Sequence, residues 1–202
     1  AEINLYALPF KPRAKREVKF SHRPEMTRSV PTESLEDLKK VKFVRWNGKE
    51  NISENNDIFV IGGAGIIDVN FASGKPIVNA HPGIIPITRG LDSFKWAIYN
   101  GDPLGNTLHL IDNEVDKGQI IQIKYTPVFM SDSLETLSRR HYEIEIEMLV
   151  NVLKVIKNRI LPYDIEKPAT MRMSEEKEAE MIKMFDEWKT KAINLPSDES
   201  YS

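Results

Sequence analysis

Residues 77–90 read Ile-Val-Asn-Ala-His-Pro-Gly-Ile-Ile-Pro-Ile-Thr-Arg-Gly, and the rest of the chain is organised around them. The stretch opens as a short apolar run, the pattern of a buried strand. On a strand, residues i and i+2 project from one face, so Asn79 and His81 converge there. Pro82-Gly83 breaks the strand directly after His81. The pair therefore sits at a strand's C-terminal end, where open α/β sheets hold their ligands. A buried amide and imidazole both need polar partners. A candidate partner lies downstream in the turn-like acidic segment Asp112-Asn113-Glu114-Val115-Asp116-Lys117-Gly118. An amide donor, a titratable imidazole and a carboxylate together suit acyl transfer to a nitrogen nucleophile.

Upstream, the run from Asp57 through Ile61 reads as a buried parallel strand entering a glycine-rich turn at Gly62, Gly63 and Gly65. Those glycines serve either a simple turn or a close backbone approach. No Gly-Lys-Ser/Thr follows, so the turn is not a phosphate loop. Earlier still, Ile3–Ala7 and Val41–Trp46 read as strands and Ser34–Lys40 as a short helix. Residues 11–23 carry Lys11, Arg13, Lys15, Arg16, Lys19, His22 and Arg23, which suit a solvated loop or a phosphate-contacting segment. Ala1 in place of Met marks a start read as processed, tagged or truncated.

Downstream, Arg89-Gly90 leads into a helix over Asp92–Asn100, with Asn100-Gly101 as its C-cap signal. Arg89 suits a surface charge or a phosphate contact equally, and Trp96 reads as packing. Thr107–Asp112 and Gln119–Val128 read as strands flanking the acidic turn, with His109 structural. Asp132 and Glu135 form an expected capping pair for a long helix. Its stripe of Leu134, Leu137, His141, Ile144, Met148, Val152 and Val155 is core packing, His141 included. A last amphipathic helix follows Ser174, and its Met181, Phe185 and Trp188 face packs on the domain or on a second subunit. The acidic, Ser-rich end reads as disordered.

Composition narrows the function classes. Net charge is −2, so no basic field advertises nucleic-acid binding. Cysteine is absent, which excludes thiolate chemistry and Cys-based metal sites. No apolar run reaches membrane-spanning length and no signal peptide is visible, so a cytoplasmic protein with no membrane partner is expected.

Asn79-Ala80-His81-Pro82-Gly83, Ile85-Pro86, Arg89-Gly90 and Val115-Asp116-Lys117-Gly118 resemble the folate-dependent formyltransferase family. The resemblance covers roughly Asp57 to Val152 and includes the helix-like Asp92–Asn100 with Gly101-Asp102 after it. It implies an α/β fold with a mostly parallel, Rossmann-like sheet and a short helical C-terminal appendage. The corresponding domains are a catalytic domain over 1–160 and an extension over 161–202 that suits dimerisation. The implied co-substrate is N10-formyltetrahydrofolate, with no metal. Asn79, His81 and Asp116 take the catalytic places. Gly63, Gly65, Ile66, Ile67, Val115 and Asp116 line the folate site, and Pro82, Gly83, Arg89 and Gly90 the acceptor site. The N-terminal region departs from the family, because its usual opening strand and glycine loop have no clear copy here.

Within the family, the His-Pro-Gly-Ile-Ile-Pro…Arg-Gly segment is most similar to sugar-nucleotide N-formyltransferases. The resemblance therefore implies a nucleotide-linked amino sugar as acceptor, a product for a bacterial surface polysaccharide (O-antigen or lipopolysaccharide), and a homodimer. The rivals are a glycinamide ribonucleotide formyltransferase, a formyl-folate hydrolase and a non-catalytic binding module on the same fold.

Overall fold

The computed structural model describes residues 2–9, 17–24, 31–63, 67–111, 118–160 and 167–194. They divide into two compact units, one of residues 1–16 and 25–77, the other of 17–24 and 78–202. The division falls at 77/78 and not at the boundary expected at 160, and the C-terminal helix shares a core with Phe94, Ile98, Leu134 and Leu137 of the same unit.

In the first unit, β1 (Ile3–Ala7) and β2 (Val41–Arg45) pair in parallel, with Ile3 opposite Val41 and Ala7 opposite Arg45. The short helix expected over 34–40 is a 3₁₀ turn at Thr32–Asp37 that lacks a side-chain cap and buries no residue. With no apolar face to dock, nothing holds a full α-helix there. Phe71 packs edge-on against Trp46 and Phe59, at ring separations of 4.9 and 5.0 Å. Strand β3 is confined to Phe59–Val60, and its Phe59 N–H donates to Pro76 O. The glycine turn follows, with Gly63 at φ +118°, a conformation that favours glycine.

The second unit holds β4 (Ile77–His81, from Val78 on), α1 (Ser93–Asn100), β5 (Gly105–Leu110), β6 (Ile120–Tyr125), α2 (Leu134–Val150), α3 (Val152–Val155) and α4 (Glu175–Ala192). The α/β class expected from the sequence is observed, and parallel pairing is realised between β1 and β2. The strands bearing the polar pair depart from the mostly parallel expectation. Strands β4 and β5 pair antiparallel, as do β5 and β6. Only residues 111–119 join β5 to β6, a hairpin-length connection, whereas a parallel return needs a longer crossover.

Helix α2 is capped by Ser133 rather than by the expected Asp132 and Glu135: Thr136 N–H donates to Ser133 Oγ and Ser133 N–H to Thr136 Oγ1. Asp132 is drawn instead to Arg140, whose two terminal nitrogens lie 2.7 and 2.8 Å from its carboxylate oxygens. That guanidinium holds the Asp132 carboxyl below the usual carboxylate range. Ser174 caps α4 as expected, accepting from Lys177 N–H. The Met181, Phe185 and Trp188 face of α4 packs on its own domain, in one core with Phe94, Ile98, Leu137 and Phe20. The apolar face that suggested a second subunit is thus used within the chain. Lys95 on α1 and Glu178 on α4 form a buried ion pair at 2.6 Å, at 3% and 0% side-chain exposure. Glu178 also accepts the Lys19 N–H, so one carboxylate joins α1, α4 and residues 17–24.

Candidate active site

The register of β4 against β5 builds the site. Asn79 lies opposite His109, and His81 opposite Thr107. Alternation along both strands turns these four side chains to one face. His109 Nδ1 lies 3.1 Å from Leu110 O. A carbonyl only accepts, so Nδ1 carries the proton and Nε2 the lone pair. Asn79 Nδ2 donates to that Nε2 at 3.4 Å, which sets the amide nitrogen toward β5. The strand pairing slips beside His109, between Leu108 and His109, as bulges near functional sites do.

His81, 4% exposed, is held at the strand end where the chain turns back. Its Nε2 lies 2.9 Å from Thr88 O and 3.1 Å from Ser93 Oγ. Gly83 is required at this turn. A Cβ there would sit 2.1 Å from Thr88 O and 2.8 Å from His81 Nε2. Thr107 stitches the turn to β5, donating to Gly83 O at 2.7 Å while accepting the Ile85 N–H at 3.0 Å. Pro82 is half-buried.

Arg89 and Gly90 are engaged by the segment ahead of α4. Arg89 Nε donates to Lys167 O, and Thr170 Oγ1 donates to both Arg89 O and Leu91 O. Gly90 adopts φ +97°, and a Cβ on it would collide with Thr170 O at 2.4 Å. The structure thus gives Arg89 and Gly90 an internal role that sequence did not suggest.

Asp116, Val115, Gly65 and Ile66 lie outside the described residues, so the expected catalytic carboxylate has no placement here. Gly63 and Ile67 are described but belong to the other compact unit. Two residues that the sequence reading did not place beside Asn79 and His81 lie next to them. His109, read as structural, contacts Asn79, and Ser93 reaches His81 from the first turn of α1. Their signal was strand register for His109 and a first-turn helix position for Ser93, neither of which reads out a partner without the folded chain.

Elsewhere in this unit, burial shifts three titratable groups. Burial pushes His141 down to about 3, with the Pro82 backbone opposing weakly at a geometry short of a formed hydrogen bond. His22 falls to about 4, chiefly through burial and then the Lys95 charge. Burial raises Glu145 even though Arg23 contacts it at 3.0 Å. Among the described residues no group of His, Asp and Glu could hold a metal ion. No helix among them is long and apolar enough to cross a membrane.

An α/β fold with polar side chains gathered at a strand's carboxyl end defines the class, one whose ligands sit at the mouth of the sheet. The particular family follows from comparison. Residues 65–153 match the model of the family described as Formyl transferase. The sequence resemblance is borne out. A phosphoribosylglycinamide formyltransferase from Haemophilus influenzae is 37% identical over 83 residues, 41% of this chain and 39% of that protein. The matches span well under half the length of these curated relatives. Among solved structures, a sugar N-formyltransferase from a Shewanella species is similar at TM-score 0.51 and 27% identity, over 62% of this chain and 54% of that one. A formyltransferase from Anoxybacillus kamchatkensis, solved with UDP-4,6-dideoxy-4-formamido-L-AltNAc and tetrahydrofolate, shares the fold over 96% of this chain and 98% of its own, at TM-score 0.56 and 23% identity.

Proposed function

We propose that this protein transfers a formyl group from N10-formyltetrahydrofolate to the amine of a nucleotide-linked amino sugar. The observation that carries the reading is Asn79 and His81 at the carboxyl end of β4, inside the segment that matches the family. The Shewanella relative supports a sugar acceptor. The Anoxybacillus complex, a sugar nucleotide beside a folate, is compatible with it.

The acceptor amine attacks the formyl carbon through its nitrogen lone pair, forming a C–N bond as the carbonyl π pair moves to oxygen. Asn79, its amide nitrogen oriented by His109, donates a hydrogen bond to that oxyanion. His81 stabilises the developing charge and assists proton movement. Asp116 serves in this scheme as the carboxylate that orients the imidazole or relays the amine's proton. Collapse re-forms the carbonyl and breaks the bond to N10, whose electron pair takes up a proton. The net proton movement is from amine to folate nitrogen. Gly63, Gly65, Ile66, Ile67 and Val115 are assigned to the folate, and Pro82, Gly83, Arg89 and Gly90 to the acceptor side. The scheme needs no metal. It needs a neutral amine, so turnover rises with pH near neutrality when chemistry limits the rate.

A second acceptor has a specific observation in its favour. The 37% identity to a phosphoribosylglycinamide formyltransferase points to glycinamide ribonucleotide. A panel separates the readings: N10-formyltetrahydrofolate with UDP-, dTDP- and GDP-linked amino sugars, with glycinamide ribonucleotide, and with no acceptor, read by mass spectrometry. Formylation of a sugar nucleotide alone supports the proposal. Formylation of glycinamide ribonucleotide alone replaces it, and formate release without acceptor makes the protein a hydrolase.

A further inference from the structure

The turn after β4 closes on a single proton. His81 Nε2 faces Thr88 O at 2.9 Å, and a carbonyl has no proton to give. Nε2 must therefore be the protonated nitrogen of the neutral ring. Ser93 Oγ lies 3.1 Å from the same nitrogen. The hydroxyl proton is already committed, since Ser93 donates to Gly90 O at 2.9 Å. A lone pair of Ser93 Oγ is thus what meets Nε2–H, and the proton is shared between two acceptors. Ser93 itself is 1% exposed and sits in the first turn of α1. The space is closed around it, because a Cβ on Gly83 would stand 2.8 Å from both His81 Nε2 and Ser93 Cβ. No water-sized gap separates the hydroxyl from the ring.

We propose that Ser93 is a positioning residue for His81: with the Thr88 carbonyl it holds the proton on Nε2, so that the neutral ring keeps its lone pair at Nδ1. The inference rests on the reading of His81 as the acid–base group of the site. Ser93 touches neither acceptor nor folate in this account and acts only through the imidazole. Two acceptors on one N–H favour that tautomer and limit ring rotation about the side-chain bonds. With one acceptor gone the alternative tautomer competes, and the ring spends less time in the productive orientation, where small misplacements carry large rate penalties.

The test reads the ring directly. Protein with ¹⁵N-labelled histidine gives long-range proton–nitrogen spectra for its four histidines, recorded at alkaline pH where free imidazoles are neutral. His81→Gln assigns the signals. We expect wild-type His81 with a protonated Nε2 and an unprotonated Nδ1, and Ser93→Ala with a measurable share of the reverse tautomer. In turnover, Ser93→Ala lowers kcat roughly tenfold with KM for the formyl donor unchanged, and Ser93→Thr restores both readouts. Should Ser93→Ala not fold, Ser93→Cys keeps the size, weakens the acceptor and gives the same comparison. A wild-type ring protonated on Nδ1 overturns the proposal, as does a Ser93→Ala protein with unchanged spectra and unchanged kcat. If no amine in the panel is formylated, the transferase reading fails, while the spectra still decide the role of Ser93.

Discussion

His81 and His141 are both buried imidazoles, at 4% and 2% exposure, yet their surroundings differ in kind. His81 ends a strand, faces the side of the sheet that also carries Asn79, Thr107 and His109, and is gripped by oxygen acceptors from the turn beyond it. His141 projects from mid-α2. Its Nδ1 meets Thr126 Oγ1 at 2.7 Å, Asn106 Nδ2 donates to its ring and backbone, and Phe94 packs against it. Asn106 alternates with Thr107 and His109 along β5, so its side chain serves the opposite face. Burial holds His141 neutral down to about 3. Burial and residue type therefore do not separate the two rings. What sets His81 apart, and what the proposed mechanism uses, is its strand-end position with polar neighbours on the same face.

The sharpest way to break the contrast is to remove each ring. His81→Ala should cost roughly 10²–10⁴ in kcat, and Asn79→Ala roughly 10²–10³, with little change in thermal stability. His141→Phe should do the reverse, lowering the melting temperature while turnover per folded molecule stays near wild type. Steady-state kinetics alongside thermal unfolding reads both. Equal kinetic losses for His81 and His141 variants would erase the distinction.

A second prediction concerns the ion pair that ties α1, and with it Ser93, to α4. Glu178→Ala leaves Lys95 buried without its carboxylate, which should cost roughly 3–5 kcal/mol of stability in denaturant titration. A loss below about 1 kcal/mol would mean that Lys95 reaches water in the native state.

The third follows from protons. His22 and His141 sit at about 4 and about 3 in the folded chain, against an ordinary 6.5. Between those limits the unfolded chain binds more protons than the folded one. Stability is therefore full above about 6.5 and falls as pH drops toward 4, by several kcal/mol for the two groups together. Urea unfolding across that range tests it, and His141→Phe should flatten part of the slope. A stability flat across the range would contradict the burial of both rings.

The smallest effect is expected at His109. His109→Phe keeps a ring but removes the acceptor for the Asn79 amide, so kcat should fall roughly tenfold while the fold persists. An unchanged kcat would make His109 a packing residue after all.

Much of this arrangement was legible in the chain itself. Period-two alternation put Asn79 and His81 on one face, and Pro82-Gly83 ended the strand, as the structure shows for β4. The apolar stripe of α2 and the Ser174 cap of α4 were equally readable from local pattern. What eluded sequence reading depended on partners distant in the chain. His109 joins the site only because antiparallel register sets it across from Asn79, thirty positions away. Asp132 looked like a cap but is taken by Arg140 eight residues on, which leaves Ser133 to cap α2. The Met181, Phe185 and Trp188 face suited a partner or the domain itself, and only the packed core decides between them. Arg89 suited a surface charge or a phosphate contact equally, and the bond from its Nε to the Lys167 carbonyl depends on a partner 78 positions away.

The most direct test of the central claim is formyl transfer by wild-type, Asn79→Ala and His81→Ala proteins under identical conditions. The assay supplies N10-formyltetrahydrofolate with the amine panel and follows the mass gain of the acceptor. The account predicts one formylated sugar nucleotide with wild type and at least a hundredfold slower formation with either variant. Transfer at the wild-type rate by either variant, or no formylated amine at all, would contradict it.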